Sequence, residues 1–145
     1  MSRTSVLSTV LAALVLLAFQ AAARAESFDG AYRGSIVCAK LTFNADILRA
    51  PFDMVVTGKS VMFARPVFDR LGNRVVGSEL GTGTVEDNGA LKLTSSWSAG
   101  VFSYQGAYAG TINGKTGALT GTQAWTTPRG KQTRDCTIAY ARRAP

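Results

Sequence analysis

From Phe28 to Arg142 apolar and polar residues alternate along the chain, and the alternation is interrupted at short intervals by Gly, Asn or Asp. A period of two belongs to strands, where successive side chains point to opposite faces, while a helix would repeat every 3.6 residues. The pattern predicts strands at Gly30–Cys38, Phe52–Thr57, Ser60–Val67, Val75–Leu80 continued by Thr82–Val85 after a break at Gly81, Ala90–Trp97, Phe102–Ile112, Ala118–Thr126 and Thr133–Ala141. Gly58-Lys59, Leu71-Gly72-Asn73, Asp87-Asn88-Gly89 and Asn113 to Gly117 supply turn residues between them, so neighbouring strands are expected to pair as hairpins. One segment departs from the pattern. In Lys40–Ala50, Leu41, Ala45 and Leu48 recur at helical spacing and Asn44 suits a cap, which leaves a loop or a short helix.

The expected fold is all-β: a small antiparallel up-and-down barrel of about eight strands, with a two-sheet β-sandwich as the alternative, since both hide sheet edges at this size. Parity favours the barrel. Tyr32, Gly34, Ile36 and Cys38 share one face of the first strand, and Cys136, Ile138 and Tyr140 share one face of the last. Both thiols therefore point to the apolar side, as they would if these two strands were neighbours closing a ring.

The N-terminus changes what those cysteines mean. Arg3 is followed by an uncharged stretch from Thr4 to Ala23 whose centre, Val6 to Phe19, is rich in Leu, Val and Ala, and Ala23-Arg24-Ala25 supplies the small residues that signal peptidase reads. Residues 1–25 are expected to form a signal-peptide helix, cut between Ala25 and Glu26 with a cut after Ala23 as the alternative, because the apolar core is short for the ~20 residues of a spanning helix. Residues 26–145 then form a single domain, periplasmic or secreted. In an oxidising compartment Cys38 and Cys136 are expected to pair as a disulfide, which leaves neither free as a nucleophile or metal ligand.

Composition narrows the chemistry further. All 15 glycines lie in residues 26–145, a share well above the ~7% of average usage and typical of turn-rich β proteins. Residues 26–145 keep 14 of the 16 basic side chains and all 9 acidic ones, and the surplus gathers at Arg129, Lys131, Arg134, Arg142 and Arg143. Export makes nucleic acid an improbable partner for this charge, leaving acidic lipid or polysaccharide surfaces, or plain solubility. The chain has no histidine, which excludes Ser-His-Asp and Cys-His nucleophile systems and His-ligated metals. Thr57-Gly58-Lys59-Ser60 lacks the earlier glycine of a phosphate loop, where Asp53 stands, and Glu86 replaces the third glycine that would make Gly81-Thr82-Gly83 a dinucleotide fingerprint. No metal or cofactor is expected. Paired carboxylate catalysis would need convergence in a cleft, and Asp46, Asp53 and Glu79 are far apart in sequence.

One constellation suggests a site. Leu91, Leu93, Ser95 and Trp97 share a face, as do Leu119, Gly121, Gln123 and Trp125, and Phe102, Tyr104 and Tyr108 share another between them. If these faces line a barrel, Ser95, Gln123 and the hydroxyls of Tyr104 and Tyr108 are polar groups inside a cavity walled by Trp97 and Trp125, the usual build of a small-ligand site. The competing reading is a filled core plugged by the tryptophans.

The leading expectation is thus a non-enzymatic exported barrel that binds a small ligand or an envelope protein. The alternative is a protein inhibitor or envelope interaction module acting through the basic loops Arg65–Arg74 and Thr126–Arg134, with Arg65, Arg70, Arg74, Arg129 and Lys131 facing an acidic partner. An uncharacterised enzyme ranks third. After signal removal the chain is not expected to span a membrane. Several strands read as shorter than the ~9–11 residues a membrane barrel needs, their second faces carry Arg33, Ser103, Gln105 and Asp135, and the chain ends Arg142-Arg143-Ala144-Pro145 rather than in an aromatic residue.

A first strand opening Gly30-Ala31-Tyr32 and a last strand holding Cys136 resemble small exported bacterial proteins with a predicted barrel, many of them uncharacterised. Gly117 to Thr122 is similar to a hairpin strand of avidin-like barrels, although in avidins that run follows soon after the first strand, and the biotin-contacting residues have no counterparts here. The resemblance implies a barrel and carries no function.

Overall fold

The computed structural model of the protein describes residues 27–44, 46–69 and 74–144. The alternation resolves into eight strands: β1 Gly30–Cys38, β2 Leu48–Thr57, β3 Ser60–Phe68, β4 Val75–Val85, β5 Ala90–Ala99, β6 Phe102–Ile112, β7 Thr116–Thr127 and β8 Gly130–Arg142. Each pairs antiparallel with its sequence neighbours and β1 pairs with β8, so the sheet is a closed up-and-down barrel and not a sandwich. Closure satisfies the backbone donors and acceptors that an edge strand would expose. Cys38 and Cys136 are register partners in the β1–β8 ladder and form the disulfide. The expected signal peptide and the Ala25/Glu26 junction lie outside the described residues.

Three sequence expectations are corrected. Of the two readings of Lys40–Ala50 the loop is the one that holds, with no helix among its described residues and an isolated bridge joining Leu41 to Asn44; the correction is that β2 begins at Leu48 and not at Phe52. Leu41 and Leu48 recur because both are drawn inward, Leu41 to 5% exposure, and not because a helix presents them. β1 and β6 have the predicted bounds, but β2, β3, β5, β7 and β8 are longer than predicted, at 9 to 13 residues, since ladder partners extend pairing into polar flanks such as Gly130 to Gln132. Length therefore does not set this barrel apart from a membrane-crossing one.

The third correction is Gly81, where β4 runs unbroken. The glycine makes room for a ring: a Cβ at this position would lie 2.1 Å from Phe63 Cε1, across the β3–β4 ladder. We expect Gly81→Ala to cost about 1–3 kcal/mol in urea unfolding, because a filled core resists added volume, whereas Thr82→Ala on the outer face should cost under about 0.5 kcal/mol. Equal losses for the two variants would show that Phe63 can step aside.

The two barrel ends are built differently. Where β1 begins and β8 finishes, Ser27–Asp29 lies across the opening. Tyr32 donates its hydroxyl proton to the Phe28 carbonyl at 2.6 Å, Gly58 N–H donates to Asp29 Oδ1 at 2.6 Å, and Arg142 donates to the carbonyls of Ser27 and Asp29 with its guanidinium 5.6 Å over the Tyr32 ring. The adjoining interior is apolar and filled by Tyr32, Ile36, Phe52, Phe63, Ile138 and Tyr140. At the opposite end the loop after β1 folds inward, and Leu41 and Phe43 pack on Trp97, Tyr104 and Trp125. Between the apolar half and this aromatic layer lies a band of polar side chains.

Candidate functional site

The polar band follows from strand parity and from one glycine. On β3 the inward positions read Val61, Phe63, Arg65, Val67, and on β4 they include Glu79, so the pleat carries an arginine and a glutamate into the barrel. Gly106 separates Ser95 on β5 from Gln123 on β7 in the same cross-strand row, and a Cβ there would lie 2.3 Å from Ser95 Oγ and 2.6 Å from the Tyr108 hydroxyl. The missing side chain lets these polar groups meet over the middle of the barrel.

Glu79 is fully buried and accepts from four donors. Arg65 Nε and the Tyr104 hydroxyl, at 2.8 Å, reach Oε2; the Ser95 hydroxyl and the Tyr108 hydroxyl, at 3.1 Å, reach Oε1. Arg65 Nη2 also donates to the Tyr104 oxygen at 2.9 Å, closing a small ring of bonds. Gln123 extends the chain, donating through Nε2 to the Tyr108 oxygen at 3.0 Å. Its Oε1 in turn accepts from Arg134 Nε at 2.8 Å, from Arg134 Nη2 at 2.6 Å and from Trp125 Nε1 at 3.4 Å.

Burial and the Glu79 charge push the Tyr108 phenol up to about 12, and burial pushes Tyr104 up as well. Both stay protonated donors at physiological pH. Burial, then repulsion by Arg65, pushes the Arg134 guanidinium down to about 10, so it remains a cation at neutral pH, held 5.2 Å from the Trp125 ring. A low-dielectric band thus encloses two arginines, each at most 5% exposed, and one glutamate.

Above the band the aromatic layer walls a cavity of about 370 Å³ at the barrel mouth, lined by Phe43, Val67, Phe102, Trp97, Trp125 and Arg129 among others, with Asp69 on its rim. Trp97 stacks on Tyr104 with ring centroids 5.6 Å apart, Trp125 lies 4.5 Å from Tyr104, and Phe43 meets Trp125 edge-on at 5.5 Å. The indole Nε1 of Trp97 is buried and has no acceptor among the described residues.

The six residues singled out in the sequence are brought to one end of the barrel but divide by role. Trp97 and Trp125 line the mouth cavity. Ser95, Tyr104, Tyr108 and Gln123 sit in the hydrogen-bonded band beneath it. Among the described residues the interior is therefore largely filled with side chains, and the aromatic-walled cavity lies at the mouth. Arg65, assigned in the sequence to an exposed basic loop, is instead an inward residue of β3, and Arg134, the end of the second basic loop, is an inward residue of β8. Sequence reasoning missed Arg65, Glu79, Arg134 and Phe43 as members of this site. Parity with Phe63 on β3 and with Cys136 on β8 was the available signal for the two arginines. Comparison of the chain with protein-family models, curated proteins and solved structures finds no match.

Proposed function

We propose that the protein is a non-enzymatic, exported binding barrel that takes a small, largely apolar or aromatic ligand in its mouth. One observation carries this reading: the mouth holds an aromatic-walled cavity of about 370 Å³, within the size range of small-ligand pockets, above a band of converging polar groups. The rest of the interior needs no occupant, because its own side chains fill it. The buried disulfide suits an oxidising compartment. Glu79 already accepts four bonds, which suits a structural carboxylate better than a proton-transferring one. The inhibitor reading loses one of its five basic residues, since Arg65 faces inward and cannot meet a partner from a loop.

Titration with N-phenyl-1-naphthylamine, a neutral apolar fluorophore, is expected to light the probe and to change tryptophan emission through Trp97 and Trp125. Phe102 is 40% exposed on the cavity wall, so Phe102→Asp should leave the fold intact and weaken the probe about tenfold or more, a charge having replaced an apolar contact. Silence from this probe and from aromatic and acyl compounds alike would remove the ligand reading.

A further inference from the structure

We propose that the ligand is an organic anion, a carboxylate or its chemical equivalent on an apolar body, whose charge answers Arg134 while its body lies against Trp97, Trp125 and Phe102. This rests on the binding role proposed above and adds the chemical class. It follows from a mismatch in the polar band, which holds more donors and more positive charge than its own acceptors can meet.

The glutamate side of the band is complete. The oxygens of Glu79 take Arg65, Tyr104, Ser95 and Tyr108, so one cation faces one anion with every short contact satisfied. Among the described residues Arg134 has no such partner. It is 5% exposed, and its hydrogen bonds go to a single neutral amide oxygen, Gln123 Oε1. That oxygen has two lone pairs and already receives two Arg134 N–H groups and the Trp125 indole N–H, so it is oversubscribed. Arg65 and Arg134 stand against Glu79 alone, which leaves a net positive charge in a band where each of the three is at most 5% exposed.

Trp97 lines the mouth cavity, and Arg134, which is not itself a lining residue, adjoins one that is. The Trp125 ring carries the Arg134 guanidinium on its face and also lines the cavity, and Trp97, whose Nε1 lacks an acceptor, lines the same cavity. Among the described residues the loops and strand ends around this opening carry Lys40, Arg74, Arg129 and Lys131 against Asp46 and Asp69, a rim that draws anions inward. An arginine that has shed its water and lacks a carboxylate gains more from an anion than from a neutral acceptor of the same shape.

The experiment compares ligands that differ only in charge, on the protein made from the full chain: 2-naphthoate against 2-naphthamide, and decanoate against decanamide, by tryptophan fluorescence and calorimetry. The acid of at least one pair should bind about tenfold or more tightly than its amide, the size expected of a charge-assisted contact. Whichever pair shows it distinguishes an aromatic acid from an acyl chain. In Arg134→Gln the preference should vanish while amide binding persists. In Gln123→Glu, where the protein supplies its own carboxylate to Arg134, the acid should lose its advantage with the fold retained. If acids and amides bind wild-type protein equally, the anion class is overturned while the binding role stands. If no compound and no neutral fluorophore binds, the binding role itself fails and the inference falls with it. The wild-type comparison decides even if Arg134→Gln does not fold.

Discussion

Glu79→Ala is expected to lower stability by about 3–5 kcal/mol, a large part of the roughly 5–15 kcal/mol that holds a domain of this size together. The loss comes less from the bonds removed than from what stays behind. Arg65, 3% exposed, would keep its charge with no anion near it; the hydroxyls of Tyr104, Ser95 and Tyr108 would lose their acceptor; and Arg134 would face a second unneutralised arginine. A buried pair is far costlier to break than to replace. The double variant Arg65→Met with Glu79→Leu should therefore recover much of the loss despite removing more native side chain. Urea unfolding followed by near-ultraviolet circular dichroism checks both values. If Glu79→Ala costs less than about 1 kcal/mol, the band is wetter than its burial implies.

Removing the disulfide is the second large effect. Cys38 and Cys136 are 98 residues apart in sequence, and a cross-link closing so long a loop restricts the unfolded chain enough to contribute about 4.7 kcal/mol in the chain-entropy model. The paired variant Cys38→Ser with Cys136→Ser should melt well below wild type. Because both sulfurs are almost fully buried, reductant alone should act slowly on native protein and quickly in denaturant. A coincident melting curve for wild type and the paired variant would show that the closed ladder suffices without the bond.

The architecture was legible because its signals are local. Alternation located all eight strands, and the parity of Cys38 with Ile36 and of Cys136 with Ile138 was enough to make β1 and β8 neighbours. What escaped was decided across strands. Gly81 looks like a strand breaker in sequence and is a seat for the Phe63 ring in space. Leu41 and Leu48 mimic a helix because a loop and a strand start both turn toward the same interior. In the site, Trp97, Trp125, Gln123 and the tyrosines were visible as amphipathic groups on apolar faces. Arg65, Glu79 and Arg134 were not, because a charge on an inward position reads as an error in the pattern unless its partner is known. Glu79 meets Arg65 across the β3–β4 ladder, 14 positions away in sequence, and no spacing rule announces such a pair.

The position of the disulfide in the β1–β8 seam has a mechanical consequence. Tyr32 and Arg142 form the outermost rung of that seam, at the end opposite the mouth. Tension between Ser27 and Ala144 would peel the two strands apart rung by rung, each rung bearing the load alone. Cys38–Cys136 is the seventh rung, and it is covalent. Peeling stops there, because residues 39–135, with all of β2 to β7, lie inside a covalent ring that the pull cannot lengthen. The barrel can fray at its hem, but the strands that carry the mouth stay out of the line of force.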